Sequence, residues 1–518
     1  MSPFVLLRVW LRRAPVSSRA TAATAAAVVM ALLVWIAIPS STPSSRVTTG
    51  LGGGTAALTS PGDQAGQAGI DATGGPASAA GGGSTTGSGT GSRSSGAKGS
   101  AGGASTGAQA RGAGSAGAQG CSGPLTPLKI GVVLPNVGSG STSLNSTFGI
   151  PPVSEEQADF AAVFDSVNKA GGVACRSLVG DYADFNETDS TAAQTECLKF
   201  QQDKVFAVLG GWFPSSTDTC ALQNHLPVIE QILIPASQVN EFHPYYMSNA
   251  GELDLVFHNF AHALSEAGYF SAAKGFKKVG VFYRDCIAGE YESLVGQLRQ
   301  VGVPASAITS FNVGCGSSPF APPSTVEAAI LQFQNSGVTD VIPMNEYEDI
   351  QAFTRQAQSQ GYKPQYLIED DGIVATSSSV TFKPDPNNFD GAVAISPYQY
   401  GAIESGLPEN DATKQCDQVM TSHGLPTVYK SASAFAGVVC SLVWMLVAGI
   451  EHDPSLNPAA LAAGIAAAGS VPAPYPEGPN DFKASNGKFG GQFWRPLQFQ
   501  SGCACWKVTN PTFSPSFP

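Results

Sequence analysis

The first 120 residues of this 518-residue chain lack cysteine and lack anything from which a core could be built. All ten cysteines lie from Cys121 onward. Residues 20–38 (ATAATAAAVVMALLVWIAI) hold no charged side chain, and residues 41–120 are mostly Gly, Ser, Ala and Thr, with 24 glycines in 80 positions. Such a composition buries too little apolar surface to offset its ordering entropy, which predicts a disordered linker. As a flexible coil it would span about 50 Å r.m.s.. Basic residues are scarce as well: 27 Lys and Arg face 39 Asp and Glu, for a net charge of −12. Because residues 1–120 carry eight Lys/Arg and two Asp/Glu, the remainder carries −18. An acidic domain without a basic stripe argues against a nucleic-acid partner.

Absent motifs narrow the chemistry further. No two cysteines show CxxC spacing, and Cys503-Ala504-Cys505 is a CxC with no further ligands to make a zinc site. Neither a phosphate-binding loop nor a dinucleotide fingerprint occurs. Ser215 lacks the glycine pattern of a nucleophile elbow. His258 and His262 stand at i, i+4, but no Glu follows His258 as it would in a zinc protease. His225 and Cys220 form a loose pair in which the cysteine is expected to be oxidised. These readings predict no enzyme, no cofactor and no resident metal.

What is present begins at the N-terminus. Arg8, Arg12, Arg13 and Arg19 precede the apolar run, which approaches the ~20 residues of a membrane-spanning helix. The positive-inside rule keeps residues 1–19 as a cytoplasmic tail and sends the rest outward. A secretory signal has the same charge order. Here the run ends in Ile38-Pro39-Ser40 without a small-x-small site, so an uncleaved single-pass anchor is expected ahead of a cleaved signal.

Residues 121–518 are too many for one typical core and predict two lobes. An even number of cysteines in an exported domain predicts disulfides, for which pairing between sequence neighbours gives 197 with 220, 286 with 315, 416 with 440, 503 with 505, and 121 with 175. Strand-like runs (129–135, 177–182, 205–211, 227–237) alternate with helix-like ones (154–169, 190–203), with Ser154 as a natural N-cap. The pattern restarts with helix 252–268, followed by strands in 278–285, 307–313, 340–346 and 365–370 and helices in 290–300, 325–337 and 348–361. Such alternation predicts an α/β fold of two doubly wound lobes with helices on both sheet faces. The apolar stretch 434–450 is expected to be a buried helix rather than a second membrane span, being short and bracketed by Lys430 and Glu451.

The order of these segments resembles the type I periplasmic binding fold, and within it the branched-chain amino-acid binding proteins that serve ABC transporters. The likeness covers most of 125–500. It is carried by KIGVVLP (129–135), VNKAGGV (167–173), VFAVLGGWFPSST (205–217), LPVIEQILIPAS (226–237), KVGVFYRD with GEYE (278–292), FTRQAQSQGYKPQYLIEDDG (353–372), FDGAVAISPYQY (389–400) and NDFKASNGKFG (480–490). The resemblance implies lobe one from 124–247 with 373–470, lobe two from 248–372 with 471–518, and a hinge between them with ligand in the cleft. It also implies a small-molecule ligand, an ABC permease as partner, and work outside the cytoplasm at the cell membrane.

Ligands of open α/β sheets sit beyond the carboxyl ends of strands. After 205–211 come Trp212, Ser215 and Ser216. In the resembled family this loop binds the ligand carboxylate. Asp218, three residues after Ser215, makes the same segment read equally well as a plain helix cap. Ser237 or Gln238 stands where the family places a hydroxyl residue. On lobe two the resemblance points to Tyr283, Glu346, Tyr347 and Asp371, the last holding an ammonium, although Asp371-Gly372 is also a common turn pair. Two departures set the chain apart: a long polar loop at 136–152, and Ala288 where the family often has Tyr before Gly-Glu. They point away from an ordinary branched-chain amino acid. The rival reading is a tethered sensor domain acting through a partner protein.

Overall fold

The computed structural model describes residues 121, 124–136, 151–186, 190–210, 221–231, 233–284, 289–314, 321–344, 347–369, 373, 376, 377 and 383–518. The expected tail, anchor and linker lie outside them.

Five parallel strands form the first sheet: β1 (Thr126–Asn136), β2 (Arg176–Asn186), β3 (Val208–Leu209), β4 (Val228–Glu230) and β5 (Tyr246–Ser248), in the order β2-β1-β3-β4-β5. Between them run α1 (Val153–Lys169), α2 (Ser190–Asp203) and the short α3 (Ala236–Phe242). β1 inserts Ile130, Val132 and Leu134 into one side of the core and Val133 into the other, as a strand covered on both faces must. α1 aims Phe160, Val163 and Phe164 inward, the apolar spacing that predicts it. Its N-cap position, however, is Pro152 and not Ser154, and no side chain caps it. Proline suits that position because its missing N–H has no helical acceptor to lose.

The second sheet holds eight strands: β6 (Val279–Tyr283), β7 (Ile308–Asn312), β8 (Asp340–Met344), β9 (Gln365–Ile368), β10 (Val393–Ser396), β11 (Phe493–Gln500), β12 (Cys505–Val508) and β13 (Ser514–Pro515). The order is β12-β11-β10-β9-β8-β6-β7, with β13 beside β11. β6 to β10 are parallel, and β11 and β12 add two antiparallel strands at one side. The connecting helices are α4 (Leu253–Glu266), α5 (Glu290–Gln300), α6 (Pro323–Ser336), α7 (Tyr347–Ser359) and the one-turn α8 (Pro386–Phe389). Aromatic rings run through this core from Phe282 to Phe353 (4.9 Å), then Tyr366, Phe389 (5.1 Å from Tyr366) and Phe499 (5.0 Å from Phe389).

After β10 the chain returns to the first sheet as α9 (Asp411–Ser422), α10 (Phe435–His452) and α11 (Leu461–Ala468). Among the described residues α10, with the short turn before it, is the one helix long and apolar enough to cross a membrane, and 89% of that apolar window is buried inside the protein. It packs Val439, Val443 and Leu446 in the core that holds Ile130 and Phe160. Each such fully buried side chain contributes about 1.5–3 kcal/mol of apolar burial.

The two α/β lobes are therefore present, but their boundaries differ from those expected. β10 pairs with β9 and β11, so Val393–Ser396 does not join the first sheet. Conversely, Val471 and Phe482 sit in the first lobe's core, so 471–490 does not go with the second. Strand β10 reads like any apolar strand, and only its partners reveal its sheet.

Disulfides join Cys121 to Cys175, Cys416 to Cys440 and Cys503 to Cys505, as neighbour pairing predicts. Cys197 is disulfide-bonded as well. The pairs involving Cys220, Cys286 and Cys315 rest on residues outside those described.

Candidate functional site

In each sheet the strand order reverses once, beside β1 and β3 in the first and beside β6 and β8 in the second. The carboxyl ends at these reversals are where an open α/β sheet receives a ligand. Trp212, Ser215, Ser216, Glu346 and Asp371, proposed from sequence, follow β3, β8 and β9 and lie outside the described residues, as does the side chain of Tyr347, which opens α7.

Three predicted residues are described. Ser237 is exposed and Gln238 half-buried in the first turn of α3, beyond β4. Tyr283 ends β6 and stacks on Tyr291 of α5, with ring centroids 4.3 Å apart and 13° between planes. The structure places Tyr283 and Tyr291 together on the second lobe and Ser237 with Gln238 on the first.

Next to Tyr283 the structure shows a pair that sequence reasoning missed. Arg284 donates from Nε to Asp349 Oδ2 at 2.6 Å, and both side chains are almost wholly buried. Asp349 Oδ1 accepts the N–H of Ala321 at 2.8 Å. Arg284 follows β6 and Asp349 lies in the first turn of α7, so the pair sits at the second sheet's reversal. The signal was an arginine directly after a strand at the switch point, but its partner lies 65 residues away in sequence.

The chain passes between the lobes three times. The first passage (249–252) and the third (488–492) run side by side: Ser248 N–H donates to the Lys488 carbonyl, Gly490 N–H to Ser248, and Gly491 N–H to Ala250. A Cβ on Gly491 would stand 2.4 Å from the Gly251 nitrogen, so only glycine allows this approach. The second passage (397–410) meets the 473–477 segment through Gln399 N–H, which donates to Pro476 at 2.7 Å.

Polar side chains knit these passages. Asn249 donates from Nδ2 to Ser441 Oγ of α10 at 3.1 Å, and its side chain also bonds Glu477. Burial pushes the Glu477 carboxyl up to about 8 against that hydrogen bond, keeping it protonated at neutral pH. Asp254 Oδ2 accepts the N–H of Ala236 at 2.8 Å and its Oδ1 accepts the Ser293 hydroxyl, so one carboxylate ties α3 of the first lobe to α5 of the second. Beside it burial, and then a hydrogen bond with Asp254, raise Glu252 to about 7. Arg495 donates to the Tyr400 carbonyl at 3.0 Å and lies over the Phe513 ring at 4.5 Å.

Among the described residues no group of three or more His, Cys, Asp or Glu is placed to hold a metal ion. His258 and His262 pack ring to ring at 4.3 Å, but His258 Nδ1 is engaged by Gln297 Oε1 and Phe517 lies against His262.

Comparison with known proteins agrees with this architecture. The chain shares its fold with a substrate-binding protein of an ABC transporter from Desulfitobacterium hafniense in complex with Leu (16% identity, TM-score 0.51, covering 74% of this chain and 99% of that one). It shares it also with a branched-chain amino acid transporter substrate-binding protein from Streptococcus pneumoniae in complex with isoleucine (14%, 0.54, 74% and 100%). A solute-binding protein from R. palustris in complex with 4-hydroxybenzoate matches similarly (13%, 0.53, 76% and 98%). Among curated proteins none matches. The profile of the family described as periplasmic binding protein matches residues 127–502, which takes in the parallel strands of both sheets, β11 and all three passages, and the chain belongs to that family.

Proposed function

We propose that this protein is an extracytoplasmic solute-binding protein that captures a small polar molecule, an amino acid or a related carboxylate, between its lobes and delivers it to an ABC permease. The observation that carries this reading is the hinge: two doubly wound lobes joined by three hydrogen-bonded passages, with Asp254 bonded to both lobes. Closure of such lobes is a population shift set by the ligand's greater affinity for the closed form. The ligands of the three similar structures, leucine, isoleucine and 4-hydroxybenzoate, all bear a carboxylate. Ser215 and Ser216 would receive that group, while Tyr283 and Asp371 would contact the remainder. The apolar run 20–38 would anchor the protein and the 41–120 linker would give it reach, so membrane-bound permease and binding domain can meet. No chemistry is performed on the ligand.

The test is a thermal-shift screen of the full chain in detergent against amino acids, aromatic acids, amides, polyols and sugars. A ligand at about 100 times its Kd adds roughly 2.7 kcal/mol, a shift of a few degrees. A hit among carboxylates supports the reading. Absence of any hit, together with capture of a partner protein by the folded region, would favour the sensor.

A further inference from the structure

The CxC motif is not absorbed by solute binding. Cys503 and Cys505 are bonded to each other across a single residue, in the turn between β11 and β12. We propose that this disulfide is a thiol-exchange site, reversibly opened by low-molecular-weight thiols while the buried Cys416–Cys440 bond stays closed.

Three observations converge. The first is access: Cys503 and Ala504 are exposed and Cys505 is half-buried, an exposure shared by Cys175 and Cys121, whereas Cys416, Cys440 and Cys197 are fully buried. The second is ring size. The bond closes a loop with a sequence separation of 2, against 24 for Cys416–Cys440 and 54 for Cys121–Cys175. A disulfide restricts the unfolded chain less as its loop shortens, so opening this one costs the fold least stability. The third is backbone conformation. Ala504, the one residue inside the ring, sits at φ +48°, a left-handed geometry unfavourable for a residue with a Cβ, so the bond closes over strained backbone. Exposed and strained disulfides are the exchangeable ones.

The surroundings keep the dithiol in place once it opens. β11 and β12 remain paired from Leu497 with Val508 to Gln500 with Cys505. Trp506, next to Cys505, is buried against Phe389 and Phe499 and donates to Thr376 Oγ1 at 2.9 Å. Ser501 N–H is held by Asp390 Oδ1 at 2.8 Å. The chemistry balances with two thiols. A thiolate attacks the exposed Cys503 sulfur, forming a mixed disulfide and releasing the Cys505 thiolate, which takes up the proton. A second thiol then attacks the mixed disulfide, freeing Cys503 as a thiol and leaving the two small thiols joined as their own disulfide. Two electrons pass to the protein, and the reverse sequence reoxidises it.

The experiment equilibrates the full-length protein in detergent with graded reduced and oxidised glutathione, alkylates the free thiols and maps them by peptide mass. Cys503 and Cys505 are expected to be half-labelled at a less reducing glutathione quotient than Cys416 and Cys440 require. Equal or later opening of Cys503–Cys505 overturns the proposal. The Cys505→Ser variant gives an independent reading: its Cys503 is expected to carry a glutathione adduct after exposure to oxidised glutathione. A variant that stays folded by circular dichroism yet takes up no glutathione overturns it as well.

Discussion

Arg284 and Asp349 form a buried ion pair at 2.6 Å where the strand order of the second sheet reverses. The geometry is charge-assisted, and the carboxylate's second oxygen is held by a backbone N–H, so neither charge relies on water. Removing one partner takes this charge-assisted hydrogen bond from the other, which stays buried. Asp349→Ala is expected to lower unfolding stability by about 3–5 kcal/mol in denaturant titration. An unchanged midpoint would show that water replaces the pair.

The buried acids set the pH response. Burial raises Asp159 to about 7, Glu252 to about 7 and Glu477 to about 8, each above its unfolded value near 4. The folded state therefore holds protons that the unfolded state has lost, and stability falls as pH rises from about 4.5 to 8. Thermal midpoints are expected to be higher at pH 5.5 than at pH 8. Glu477→Gln, which keeps the shape and stays neutral, should flatten that slope. An equal slope in the variant would remove Glu477 from the account.

The hinge tie predicts a binding effect. Asp254→Ala strips the acceptor from Ala236 N–H and from the Ser293 hydroxyl. Once a ligand is in hand, its Kd is expected to rise about ten-fold, or about 1.4 kcal/mol, with a larger radius of gyration in small-angle scattering. A variant that binds as tightly as the parent would reduce Asp254 to a local cap.

The backbone approaches at the passages leave no room for a methyl group. A Cβ on Gly478 would stand 1.7 Å from the Pro397 carbonyl oxygen. Gly478→Ala is expected to destabilise by more than the ~1 kcal/mol of an ordinary glycine replacement, whereas Gly502→Ala, whose Cβ meets nothing within 4 Å, serves as the tolerated control.

Removal of the buried Cys416–Cys440 bond by Cys416→Ala with Cys440→Ala is expected to cost about 3 kcal/mol from its loop length. Calorimetry of the double variant checks this, and no change would assign the pair no structural role.

Much of the fold was legible in the sequence because each element announces itself locally. The helices 190–203 and 290–300 begin and end where apolar spacing and composition place them. Strand pairing is not local. Val393–Ser396 is apolar throughout, and nothing in four residues says whether β9 or β1 lies beside it. The same distance in sequence hid the site's ion pair: Arg284 and Asp349 meet only because β6 and β8 are neighbours. Cysteines fared better, since the short separations of Cys416–Cys440 and Cys503–Cys505 made the nearest partner the right one.

The late return of the chain to the first sheet constrains the order of assembly. β1 and α1 share a core with α10, yet α10 begins some 280 residues after α1 starts, with most of the second sheet lying between. As the polypeptide is made from its N-terminus, the first five strands emerge with one apolar face covered by α1 alone. They stay so until residues beyond Phe435 arrive. A ribosome or translocase stalled before that point leaves an open sheet exposed to association with other chains.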